Sequence, residues 1–350
     1  MIKYCAECEA IIPRISKQWL NKIYCSTKCR KNSNRKKKSA ETRIQQRRSN
    51  LVQNDEMLYL VRQCKKAKTV QILRSHDLKS FIETMRLIRE RPPGKVDLCH
   101  VAPVKGRFST GLIHCRNLFY AGSHQNRKFG QKYIAGGLSI PNRSLQEKWK
   151  VTDEMSNNDI LKKIELYLKD IIQDYIKSCP VRKSKKVQLA NKIAGLDESK
   201  SIDELMLTSY KGLVEQWRKV SDIRLPIPAV TVESKYLVYM DSLTRFLSYD
   251  EDRKVLIEEL RCLMVVGYMA LERVKKSKTY NKYFYVKYEP LISLRYGQAM
   301  LKNPEQWSVF KDLIYDFAFL VLQGGSPDIK GFRKLIFSYL WFPKKAWVVS

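Results

Sequence analysis

No uninterrupted apolar run in this chain reaches the roughly 18–20 residues that a membrane-spanning helix needs. The opening Met1-Ile-Lys-Tyr-Cys-Ala-Glu-Cys8 also lacks an apolar signal segment. These two absences argue against a membrane partner and lead us to expect an intracellular, cytoplasmic protein. Acidic residues are scarce, 35 against 66 basic ones, for a net charge of +31. The imbalance is concentrated in residues 1–150, with 33 basic and 10 acidic residues, a net +23. A surplus of that size calls for a polyanionic partner, DNA first, with RNA not excluded. From residue 153 onward there is no repeat, phosphate-binding loop or acidic catalytic pair. Histidine is rare too: four in the chain, three of them (His100, His114 and His124) between residues 97 and 130.

Cysteine is better supplied, with nine residues. In a reducing compartment a cluster of them argues for metal rather than disulfides. Cys5-x2-Cys8 and Cys25-x3-Cys29 are separated by sixteen residues, a pattern that suits tetrahedral Zn²⁺ with the gap folded as a hairpin or loop. Ser26 can cap a helix beginning just after Cys25, which places Cys29 one turn in and facing the same metal. Residues 1–34 are therefore expected to form a four-cysteine zinc finger of treble-clef or ribbon type. Its role would be structural, because protein fills all four positions.

Residues 35–90 follow as a basic helical linker. Arg35, Lys36, Lys37, Lys38, Arg43, Arg47 and Arg48 crowd its start, and Glu41 is the lone acid between residues 30 and 50. This arm is expected to track phosphates; the alternative is a solvated basic segment. Apolar residues at helical spacing from Leu58 to Ile88 predict two helices.

Residues 96–130 read as strand, loop, strand, helix. Val96–Val101 and Asn117–Ala121 are β-prone runs, and Gly122-Ser123 offers a turn and cap for a short helix. Cys99-His100-Val-Ala-Pro103, Asn117-Leu118 and Asn126-Arg-Lys128 follow in order, with Asn126 nine positions after Asn117. This arrangement resembles the HNH, or ββα-metal, nucleases. The resemblance implies a phosphodiester hydrolase that acts through a histidine base and one divalent metal. His100 would be the general base, Asn117 would orient it, and Asn126 would offer its side-chain oxygen to Mg²⁺ or Mn²⁺. Where the family places an acidic or imidazole ligand this chain has Cys99, a poor partner for a hard cation. Asp97, on the same strand face, and His124, near Asn126, are the residues that could complete the site. Lys105, Arg127 and Lys128 would join the basic arm in holding nucleic acid.

A zinc finger joined through a basic stretch to such a core is also similar in arrangement to phage recombination proteins of the NinG type, which implies a bacterial or phage setting. After the nuclease-like core of residues 91–150, residues 151–350 show helical periodicity and are expected to form a domain that binds a protein partner or nucleic acid. The fold class expected is α+β, mostly α. The leading function is a metal-dependent HNH endonuclease acting on DNA. Its rivals are a non-catalytic zinc-finger nucleic-acid-binding protein on a degenerate HNH scaffold, and the nuclease subunit of a larger complex.

Overall fold

A long polar helix, α1 (Thr27–Asn50), opens the ordered body of the protein and has no apolar stripe to bury. It is held at its C-terminal end, where the Arg47 guanidinium donates to the carbonyls of Ile176 (3.1 Å) and Lys177 (2.8 Å). The next two helices are amphipathic. α2 (Asp55–Ala67) begins on Asn54, whose side chain accepts from the Met57 amide. α3 (Leu78–Arg89) begins on a capping box between Asp77 and Ser80. The computed structural model describes residues 2–14, 19–130, 132–221, 234–292 and 298–342, without the side chains of Lys37, Lys38 and Asp203. The Leu225–Pro228 break and the last residues of the tryptophan-bearing tail, 343–350, lie outside that set.

Next come β1 (Val96–His100), β2 (Ser109–Gly111), β3 (Leu118–Gly122), α4 (Ser123–Phe129) and β4 (Ser139–Pro141). β1 and β3 pair antiparallel, with Val96 opposite Gly122 and His100 opposite Leu118; β2 pairs with β4. Because side chains alternate across a strand, this pair has two faces, and both are covered. Leu98, Leu118 and Tyr120 pack into a core shared with α2, α3, α5 (Asn157–Leu168) and α6 (Asp170–Ser178). Cys99, Phe119 and Ala121 join a second core with the C-terminal helices.

α7 (Lys185–Ala194), α8 (Ile202–Leu207) and α9 (Tyr210–Val220) bury a small cluster of their own around Leu213 and Trp217. The second core is built by α10 (Lys235–Phe246), α11 (Lys254–Glu272), α12 (Lys282–Ile292), α13 (Trp307–Leu322) and α14 (Ile329–Tyr339). Strands β5 (Met300–Leu301) and β6 (Leu340–Trp341) pair beside it. α10 also closes the free edge of β3. Ser242 accepts from the Tyr120 amide and donates to its carbonyl, while Arg245 reaches the carbonyls of Cys115 and Leu118.

The protein is mostly helical, about 62%, with small sheets. No helix among the described residues is long and apolar enough to cross a membrane. The helical periodicity of residues 151–350 is broken in several places. The apolar face from Ile160 to Ile176 is two helices, because Lys169 takes a positive φ (47°) between them. Residues 202–220 form two helices, divided before Ser209, which caps α9 through the Gly212 amide. Of residues 284–301, those up to Ile292 belong to α12, and Met300–Leu301 is a strand. The aromatic-basic stretch 276–287 leads into α12, with Phe284 buried against Tyr268 and Tyr283 left exposed. Residues 35–90 are more than a linker, since α2 and α3 supply one of the two large cores. Residues 151–350 are divided among three clusters.

One part-buried contact should make stability depend on pH. His76 donates from Nε2 to the Ile113 carbonyl (2.8 Å) and stacks on His114 at 4.7 Å. Burial, and the neighbouring His114, push its imidazole down to about 4 from an ordinary 6.5. The unfolded chain takes up that proton first, so stability is complete above pH 6.5 and falls as pH drops towards 4. Urea unfolding should therefore lose about 3 kcal/mol to this residue between pH 7 and pH 4. His76→Gln should remove that share of the dependence; an unchanged pH slope in the variant would exclude His76 as its source.

Candidate functional site

The four N-terminal cysteines meet. Their sulfur atoms all lie within 4.8 Å of one another, with separations of 3.5 Å (Cys8–Cys25), 3.5 Å (Cys25–Cys29) and 3.7 Å (Cys29–Cys8). A tetrahedron of sulfurs about 2.3 Å from a central zinc has edges of about 3.8 Å, so the cluster has the size to hold a structural metal of that kind. Local folding explains the arrangement. Glu9 takes a positive φ (59°) after Cys8, and the Cys5 amide donates to the Ala10 carbonyl. Ser26 caps α1 through the Cys29 amide at 3.2 Å, which turns Cys29 back towards its partners. With Cys29 and Cys8 beside it, the Cys25 thiol is pushed up to about 12; a cation is what allows such neighbours to ionise together. Among the described residues this is the one group of three or more His, Cys, Asp or Glu side chains so placed.

The basic arm is less uniform than its sequence suggests. Arg35, Arg43 and Arg48 are exposed on α1. Lys36 pairs with Glu7 of the finger at 2.5 Å. Arg47 is committed to the end of α6, a cap on carbonyls rather than a free phosphate contact. Lys37 and Lys38 have side chains outside the described set.

The strand–loop–strand–helix segment forms one wall of a cleft of about 360 Å³ that contains Asp97, Cys99, His100, Lys105 and Asn126. Asn117 is fully buried and clamps the intervening loop. Its Oδ1 accepts from the Ala102 amide (2.9 Å) and the Leu138 amide (3.2 Å), and its Nδ2 donates to the carbonyls of Ala102 (3.1 Å) and Leu112 (2.7 Å). The expected contact with the His100 ring is replaced by this clamp, which fixes the backbone leaving β1. Gly137 closes over it: a Cβ there would lie 2.4 Å from Asn117 Oδ1, and its φ of +70° favours glycine.

His100 Nε2 is buried and has no hydrogen-bond partner among the described residues. Burial, with the charge of Lys66 behind it, pushes the imidazole down to about 4, so the ring is neutral at pH 7. Asp97 is tied on both oxygens, to Arg91 Nη2 (2.8 Å) and to Asn126 Nδ2 (3.0 Å). Asn126 spends its amide N–H on that carboxylate, which leaves its carbonyl oxygen as the atom to offer a cation. Cys99 is 2% exposed and packs into the second core; burial, and then Asp97, raise its thiol well above the ordinary value. Protonated, it is no ligand for a hard cation.

His124 does not reach the cleft. Two residues from Asn126 on the same helix, it projects from a different side and is exposed. Arg127 is exposed as well. Lys128 turns to the C-terminal half, where it pairs with Asp316 at 2.7 Å, and that hydrogen bond raises its pKa. The remaining cleft walls were not legible in the motif: Tyr59, Gln63 and Lys66 come from α2, Arg91 from the turn before β1, Lys132 from beyond α4, and Gln323 from the end of α13. No signal in their own neighbourhood marks them, because the cleft is assembled from parts of the chain as distant as Tyr59 and Gln323. No family model, curated protein or solved structure matches this chain.

Proposed function

We propose that this protein is a metal-dependent nuclease of the HNH type that cuts phosphodiester bonds in nucleic acid. The observation that carries the reading is His100: a neutral imidazole whose buried Nε2 has no partner, in a cleft with Asp97, Asn126 and the cations of Lys66, Lys105 and Lys132. Hydrolysis needs a base to take a proton from water and positive charge to offset what develops on the phosphoryl and leaving oxygens. His100 is suited to the first task, and the three lysines to holding the phosphate.

Asp97 and Asn126 would hold the cation, Mg²⁺ or Mn²⁺, through one carboxylate and one carbonyl oxygen, with water filling the rest. The oxygen donors fit a hard ion, and they are few. When bound, the ion would polarise the phosphoryl oxygen and stabilise the leaving group. The site does its own part around that: Arg91 fixes the Asp97 carboxylate, Asp97 fixes the Asn126 amide, and the Asn117 clamp fixes the loop after His100. Zn²⁺ is the proposed occupant of the cysteine cluster, with a structural role.

A plasmid-nicking assay with Mg²⁺, Mn²⁺ or EDTA tests the reading; absence of cleavage with every metal would end it. The buried, protonated Cys99 at a family ligand position favours a second reading, a non-catalytic nucleic-acid-binding protein on the same scaffold, and the same assay separates the two.

Either reading places phosphates along α1. Substituting Arg35, Arg43 and Arg48 by Gln should flatten the plot of log affinity against log salt for duplex DNA by about 2–3, at about 0.9 for each phosphate no longer neutralised. Point changes are the right tool, because deleting the arm would also remove the Arg47 cap on α6. An unaltered slope would make α1 a solvated spacer and move the phosphate contacts to the lysines of the cleft.

A further inference from the structure

Two side chains in the cleft have no part in the chemistry above. Three of the side chains lining it carry a buried atom with no hydrogen-bond partner among the described residues: His100 Nε2, Gln63 Oε1 and Gln323 Oε1. They come from β1, α2 and the end of α13, so three separate parts of the chain converge here. Gln323 is 3% exposed. A buried amide oxygen without a donor costs free energy; Gln53 and Gln216 carry one away from this cleft, and what sets the cleft apart is that three unpartnered groups converge on it.

We propose that Gln63 and Gln323 bind the nucleoside of an unpaired nucleotide beside the phosphate that His100 faces, accepting from its N–H or O–H groups. The proposal rests on the nuclease reading for what the cleft receives. Phosphate oxygens only accept, so they are served by Lys66, Lys105 and Lys132 and leave the two amide oxygens unmatched. On a polynucleotide the donors are base amino and ring N–H groups and, in RNA, the 2′-hydroxyl. Within a duplex the pairing-edge donors are taken by the opposite strand. A space of about 360 Å³ lies at the small end of ligand pockets, room for a nucleotide and not for a duplex. Each amide also carries two N–H donors, so a base edge bearing both kinds of group can be met by one glutamine. Gln323 makes the C-terminal helices part of this site.

The test compares the full-length protein with Gln63→Met and Gln323→Met, near-isosteric changes that remove the amide and keep its bulk; unchanged melting temperatures establish that both variants fold. Fluorescein-labelled oligonucleotides, deoxy or ribo, single-stranded or paired, are titrated in EDTA and then cleaved with metal. Each variant should bind single strands about tenfold more weakly, keep duplex affinity within about twofold, and show a flattened nucleotide preference at the cut. A loss confined to RNA assigns the contact to the 2′-hydroxyl, and a loss on both kinds of strand assigns it to the base. Variants with wild-type affinity, rate and preference overturn the proposal and leave the nuclease reading standing. A wild type that cuts nothing ends the nuclease reading instead. The EDTA titration then still decides: weaker single-strand binding by the variants supports a nucleoside pocket, and equal binding overturns it.

Discussion

His100→Ala should abolish metal-dependent cleavage, lowering the single-turnover rate by at least about a thousandfold, while duplex affinity in EDTA changes little. On the proposed reading the base acts in the transition state, whereas affinity comes from phosphate contacts spread over the basic surface. General bases typically contribute about 10²–10⁴-fold, a range that brackets the loss expected for His100. Its Nε2 is buried and has no competing hydrogen-bond partner among the described residues. Burial and Lys66 keep the ring neutral at pH 7, in the accepting form, and the same shift makes it a weaker base than a free imidazole. Its position is fixed from behind by β1, paired through the full length of β3, and by the four hydrogen bonds of Asn117 to the loop it enters. Cleavage by the alanine variant at the wild-type rate would remove His100 from the mechanism.

Removing metal from the cysteine cluster should unfold the N-terminal finger and leave the rest standing. Among its described residues the finger buries only Cys5, Ile12 and Trp19, too little apolar surface to fold alone. Metal binding in such domains supplies about 10–16 kcal/mol at neutral pH, and that energy is the folding energy. Cys25→Ser should have the same effect as chelation, since Cys25 lies 3.5 Å from the sulfurs of both Cys8 and Cys29. The two large cores are independent of the finger, and the helical circular dichroism signal should persist. Protease should then cut ahead of α2, because Arg47 and Leu51 still anchor the end of α1. Metal analysis of the reduced, purified protein should find one zinc per chain; none bound would end the claim.

The cysteine cluster was legible in the sequence because its constraints are local. Cys-x2-Cys needs one tight turn, Cys25-x3-Cys29 needs one helical turn, and the Ser26 cap sits between them, so spacing alone determines the geometry. The helices were legible for the same reason: their apolar periodicity records which side faces a core. The strand order around His100 could also be read, since β-prone runs and a closing proline are short-range signals. Tertiary structure decided the rest. Which atoms Asn117 would hold depended on where the loop from Val101 to Arg116 folded back, and it clamps that backbone rather than the imidazole. Lys128 and Arg47 carried phosphate-seeking charge in the sequence, yet each found a partner, Asp316 and the end of α6, that lies far away along the chain. Cys99 occupied a ligand position by motif, and only the C-terminal helices packed over that strand face made it a buried thiol. Gln63 and Gln323 carry no local signal. What a polar side chain does depends on what the fold brings against it, and charge or spacing along the chain records that only when the partner is a near neighbour.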